Sequence, residues 1–294
     1  MGSISKSLSL VLLMIAAIIW GFAFVAQRSG MMHTSPFVFN GIRFLLGALF
    51  LIPVLMVRRS KEPVKDDANR KHFWLGGILT GTVLFIAASL QQIGMVYTTA
   101  GNGGFITSLY VIIVPFIGLL WNRNINIQTW VGVVLATAGL YFLSGINIAS
   151  PKSGDLLVLI SAFFFALHVQ IIGQLAPKFN PVKFSAVQFA VCSLFSLIGA
   201  VLTEDLNPKG ITNAAIPILY SGIMSVGVAY TLQTISQQRA NPTHAAMILS
   251  TESVFALLGG WLILSEDITP KGLLGCMLMF AGIVLSQLKK FQKA

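Results

Sequence analysis

Ten stretches of mostly apolar residues run along the chain, each divided from the next by a short polar gap. They lie near residues 8–26, 36–57, 73–97, 102–121, 127–144, 154–175, 181–202, 213–236, 243–264 and 271–288. About twenty such residues carry a helix across ~30 Å of hydrocarbon, so the pattern predicts an all-α membrane protein with ten transmembrane helices. Four runs open on a capping side chain followed by proline, at Ser35-Pro36, Asn180-Pro181, Asn241-Pro242 and Thr269-Pro270. A proline costs nothing there, because its missing N–H would be unpaired in a first turn anyway. The first run, Leu8 to Ala26, exceeds the ~7–15 apolar residues of a usual signal peptide and reads as a retained helix. The longest polar gap, from Arg58 to His72, leaves no room for a soluble domain and excludes a fused ATPase.

The second half of the pattern repeats the first. At an offset of 145, Ala17 falls on Ala162, Pro36 on Pro181, Phe44 on Phe189 and Leu49-Phe50 on Leu194-Phe195. At 142, Leu90-Gln91 falls on Leu232-Gln233, Ile93 on Ile235, Ile106 on Ile248 and Ser108 on Ser250. At 143, Gly132 falls on Gly275 and Ala138-Gly139 on Ala281-Gly282. A nearly constant offset across five spans predicts two units, residues 1–146 and 147–294. Five is odd, so the second unit enters the membrane upside down relative to the first. Two inverted five-helix repeats are the architecture of many secondary transporters, with a binding cavity between the halves near mid-membrane. A duplicated scaffold that moves nothing is the plainer alternative.

Composition supports the membrane reading. Of 294 residues, 55% are hydrophobic and 10% charged, against about 25% charged in an ordinary soluble domain. The net charge of +10 comes from residues in short gaps rather than on one face interleaved with aromatics, which excludes nucleic acid and favours membrane lipid as a partner. Of the 19 Lys and Arg, Arg43 lies within a span; Arg28, Lys152, Lys209 and Lys271 fall on one set of loops and the other fourteen on the opposite set. Positive loops stay inside, so both termini are expected in the cytoplasm of a cell whose plasma (bacterial inner) membrane holds the chain. The stretch Arg58–Lys71, with six basic residues, serves as that topology signal. Two cysteines, Cys192 and Cys276, make no disulfide framework or metal spacing. No phosphate-binding loop, metalloprotease motif or nucleophile elbow occurs, so no enzyme, cofactor or metal is expected.

Short motifs complete the picture. Trp20-Gly21 with Phe24 resembles the W-G-x-x-F pattern in the first helix of the EamA branch of the drug/metabolite transporter superfamily. Gly275 with Ala281-Gly282 is similar to the ending of that family's repeats, and Leu264-Ser265-Glu266-Asp267 to its acidic turn after the ninth helix. Thr251-Glu252-Ser253-Val254-Phe255-Ala256 resembles its E-P-V-F-A segment with Ser253 in place of proline. The first repeat departs at Trp121-Asn122-Arg123-Asn124, which has no acid. The resemblance spans nearly the whole chain. It implies ten helices in two repeats and alternating-access transport of a small metabolite, often amino acid-like and often outward.

Polar residues within the spans are the candidates for chemistry. Glu252 follows Thr243 by nine residues, ~14 Å along a helix and close to mid-depth. A carboxylate there must face a cavity, pair or carry a proton, which suits proton coupling or an ammonium group; a structural hydrogen bond is the alternative. Arg43 can bind a carboxylate bidentately or pair with Glu252, though snorkelling to the outer interface is the simpler reading; its repeat counterpart is the neutral Gln188. Gln91 and Gln233 occupy equivalent positions and, with Gln92, Gln170, Gln237 and Gln238, line a seam or a cavity. His168 can relay protons but sits among Phe163, Phe164, Phe165 and Leu167, as a core histidine does. Trp20 and nearby aromatics would close the cavity. The short links at 98–104 and 240–246 are expected to flex. A non-transporting accessory subunit and an intramembrane transferase remain the alternative functions.

Overall fold

The computed structural model describes residues 5–58, 67–120, 126–144, 153–266 and 270–287. Residues Trp121–Asn124, most of the basic stretch Arg58–Lys71, the junction between 146 and 147, and the C-terminal lysines lie outside them, as does the side chain of Cys276. Among the described residues every apolar run is helical over most of its length. The first repeat holds α1 (Lys6–Gly30), α2 (Pro36–Arg58), α3 (Asp67–Met95), α4 (Ala100–Ser108), α5 (Tyr110–Leu120) and α6 (Ile127–Ser144). The second holds α7 (Ser153–Leu175), α8 (Pro181–Thr203), α9 (Pro208–Asn213), α10 (Ala215–Leu219), a π-helical segment (Tyr220–Tyr230), α11 (Thr231–Ser236), α12 (Pro242–Leu249), α13 (Glu252–Leu264) and α14 (Pro270–Gln287). Among the described residues, eight spans are long and apolar enough to cross a bilayer; Ile127–Phe142 of α6 is a shorter apolar helix, and α14 is not among the eight. The outward faces are apolar, with Val57 80% and Leu120 81% exposed, which suits lipid rather than water.

Two of the four expected caps are present. Ser35 does not cap, since its Oγ has no partner and the Glu204 carboxylate takes the first-turn N–H groups of α2 instead; Thr269 lies outside the described residues. The Asn180 side chain accepts N–H bonds from Val182 and Lys183, and Asn241 one from Thr243, each ahead of a first-turn proline. The links at 98–104 and 240–246 are only partly irregular: residues 98–99 and 240–241 are non-helical, and α4 and α12 begin at Ala100 and Pro242. The backbone also breaks at repeat-equivalent positions inside the fourth and ninth spans. Leu109 N–H turns to Ile106 O and Ile112 N–H to Leu109 O; 142 residues on, Thr251 N–H turns to Ile248 O and Val254 N–H to Thr251 O. Ser250, Thr251 and Ser253 also hydroxyl-bond the carbonyls three residues back, at 2.8, 2.6 and 2.8 Å. Such back-bonding competes with the helical ladder and bends it.

The halves meet through matched pairs of elements. α2 packs on α8 and α6 on α14; α1 packs on α13, α12 and the π-helical segment, as α7 packs on α4, α5 and α3. A Cβ added to Gly139 would sit 2.5 Å from Gly275 O, and one on Gly282 would sit 2.6 Å from Gly132 O. Numbers that rise on α6 fall on α14, so equivalent helices run antiparallel and their bare backbones touch, which only glycine permits. In α2 and α8 the same reversal holds: Phe37 faces Gly199, Gly41 faces Leu197, and the equivalent rings of Phe44 and Phe189 stand 6.4 Å apart.

Candidate functional site

A narrow internal cavity of about 30 Å³ lies where the halves meet. Its fifteen lining residues come from the first, second, third, fourth, sixth, eighth and ninth spans. Ten of them form five repeat-equivalent pairs: Trp20 with Phe165 and Phe24 with Val169 at an offset of 145, then Gln91 with Gln233, Thr107 with Leu249 and Tyr110 with Glu252 at 142. The cavity therefore sits on the axis that relates the repeats.

Each wall has a local cause. The break at Ser250–Thr251 ends α12 and starts α13 on Glu252, as the break at Leu109 starts α5 on Tyr110. Ser108 Oγ ties the breaks together by donating to Ser250 O at 3.1 Å. Gly21 lets α13 approach α1 at that level; a side chain there would meet Glu252 O at 2.8 Å. Trp20 is held by an Nε1–H bond to Ser225 O at 3.2 Å and by the Tyr230 ring 4.5 Å away. Ser225 and Tyr230 belong to the π-helical segment, a geometry found often at functional sites.

Of the seven candidate side chains, six line this cavity: Glu252, Arg43, Gln91, Gln233, His168 and Trp20. Gln188 does not line it; its Oε1 lies 2.8 Å from His168 Nε2, one hydrogen bond behind the wall. Arg43 does not snorkel. It is 3% exposed, donates from Nε to Asn40 Oδ1 at 2.9 Å, and its guanidinium lies 5.6 and 5.0 Å from the Phe39 and Phe44 ring centres. Those rings and that amide hold it inward, and it forms no ion pair with Glu252. The glutamines divide: Gln170 donates to Val114 O at 2.6 Å and Gln237 to Val169 O at 2.9 Å, which makes them links between helices. Gln91 donates to Thr107 Oγ1 at 2.9 Å.

Several polar atoms at the cavity have no protein partner. They are Gln27 Oε1 and both amide atoms of Gln233, whereas the side chains of Tyr110 and Glu252, which fall short of strict hydrogen-bond geometry, face and interact with each other. Glu252, Tyr110, Gln27 and Gln233 are all at most 3% exposed. Buried polar groups are nearly always paired, so these amide atoms are where water or a polar group of a solute would bind. Tyr110, Gln27, Thr107 and Leu249 escaped the sequence reading. The offset of 142 that places Tyr110 on Glu252 was the available signal.

The EamA-like transporter family model matches the chain twice, over residues 7–145 and 152–288. An uncharacterized transporter of Archaeoglobus fulgidus is 32% identical over 281 residues, covering 94% of this chain and 85% of its own. The uncharacterized transporter YoaV of Bacillus subtilis is 25% identical over 283 residues, covering 92% and 93%. A solved crystal structure shares the fold at a TM-score of 0.77 and 17% identity, over 96% of this chain and 97% of that one.

Proposed function

The chain belongs to the EamA-like transporter family, and from that premise we propose that it is a secondary transporter. It moves a small polar or amphipathic metabolite across the plasma membrane by alternating access between two inverted five-span repeats, residues 1–146 and 147–294, with protons as the coupling ion. The observation that carries this reading is Glu252: a carboxyl group 3% exposed, facing its repeat counterpart Tyr110 on the wall of a cavity on the repeat axis. A carboxyl group in that position exchanges a proton or receives a cationic group of the solute. Arg43, on the same wall, supplies the opposite charge.

Room for one or two waters is too little for a metabolite, so the conformation described is a closed one. Admission of solute requires the halves to part on one side and then the other. The antiparallel contacts of α2 with α8 and of α6 with α14 provide the surfaces on which they rock.

The test is reconstitution of the Glu252→Gln variant. Amino acids, nucleosides, sugars and organic cations are screened for a rise in melting temperature, and flux of the hits is followed in proteoliposomes under an imposed pH gradient. The wild type is expected to accumulate a hit in response to the gradient, and Glu252→Gln to fold normally while its flux ignores pH. Unchanged gradient-driven flux by the variant removes Glu252 from the mechanism.

A further inference from the structure

Two equivalent glutamines face one cavity in different states. In the first repeat Gln91 donates to Thr107 Oγ1 at 2.9 Å. In the second, the position equivalent to Thr107 is Leu249, whose side chain can neither donate nor accept. Gln233 is 1% exposed, and among the described residues it is the glutamine with both Nε2 and Oε1 buried and unpaired. One substitution between the repeats, Thr for Leu, has left an amide free where its twin is tied.

An unpaired amide offers an N–H donor and a C=O acceptor side by side. A partner that answers both presents the complementary acceptor and donor at the same spacing. Primary carboxamides and the lactam edges of planar heterocycles do so; a carboxylate or an ammonium answers only one half. We propose that Gln233 reads such a donor–acceptor edge on the transported solute, in a pair of parallel hydrogen bonds, with Leu249 kept apolar so that nothing in the protein competes. This rests on the transporter reading above and narrows its substrate class. The Trp20, Phe24 and Tyr230 rings of the same wall suit the planar body that carries such an edge.

The test uses the purified full-length chain in detergent, titrated calorimetrically with benzamide and with uracil. N,N-dimethylbenzamide and 1,3-dimethyluracil, which have lost the donor, serve as partners. At least one unmethylated probe is expected to bind, with its methylated counterpart roughly ten- to hundred-fold weaker. Binding of benzamide alone assigns a carboxamide, of uracil alone a heterocyclic lactam. Gln233→Leu and Leu249→Thr should each weaken the bound probe by a similar factor, the second while leaving the glutamine in place but giving it an internal partner. Gel filtration and melting curves confirm that both variants fold. Equal binding of methylated and unmethylated probes, binding of neither series, or wild-type affinity in folded Leu249→Thr overturns the proposal. Vesicle flux keeps the two readings apart. Gradient-driven movement of another solute by a wild type that binds neither probe defeats only the edge reading, whereas edge binding without any flux defeats only transport.

Discussion

Carboxylates away from the cavity hold helix ends. Glu204 accepts the N–H groups of Phe37 and Val38, both at 2.9 Å, in the first turn of α2, and Glu266 accepts those of Ala100 and Gly101 at 2.9 and 3.1 Å at the start of α4. An anion at a helix N-terminus pairs donors that the helix leaves free and meets the positive end of its dipole. Glu204→Ala should therefore cost about 1–2 kcal/mol, seen as a lower melting temperature in detergent, with no change in the pH response of flux. Glu266 reaches its position because Ser265 adopts the left-handed conformation, φ 56°, so that the Glu266 N–H turns back to Gly260 O at 3.1 Å. At this scale the sequence was readable for Glu252, because depth along a span follows from counting. It misled for Arg43, whose inward hold depends on Asn40 and on two rings that no linear spacing brings into view. Tyr110 was passed over because a tyrosine in an apolar run looks like an ordinary interface aromatic until its repeat partner is aligned.

Helices meet here through backbone as much as through side chains. Gly139→Val would place a branched side chain against Gly275 O, which cannot yield without moving α14. The expected loss is roughly 1–3 kcal/mol or more, read as a drop in melting temperature. Val134→Leu, on the outward face of α6 where Val134 is 64% exposed, should be neutral. The repeat and the first turns of α8 and α12 were legible because proline, asparagine and glycine act locally; that of α2 was not, because its cap is the distant Glu204. The breaks at Leu109 and Ser250–Thr251 were not. Serine and threonine are tolerated within a span, and whether they bend it depends on hydroxyls turning back to carbonyls, which composition does not reveal. The π-helical turn after Leu219 was equally silent in the sequence.

For the molecule as a whole, loop charges set the expected orientation. In a chain cleared of Cys192 and Cys276, single cysteines introduced as Ser3→Cys and Gln292→Cys should both resist an impermeant maleimide in intact cells and both react in inside-out vesicles. Labelling of the two ends from opposite sides would contradict an even number of crossings and with it the paired architecture. The duplication was visible in the pattern of apolar runs; the count of ten spans was not reproduced, since eight are long and apolar enough among the described residues and several runs divide into separate helices. Nor was the closed state of the cavity visible, since a tight and an open arrangement use the same residues.

The α6–α14 contact has the form of an isologous interface. Gly139 meets Gly275 and Gly282 meets Gly132, and these four are two positions counted twice, 143 residues apart. Swapping the copies leaves the contact unchanged, as rotation does in a twofold dimer. A chain cut between residues 146 and 147 and expressed as two polypeptides should thus reassemble without the covalent link, and co-purification of a tagged 1–146 with an untagged 147–294 would register it. Gly139→Val in one fragment should abolish that recovery even where each fragment alone still enters the membrane.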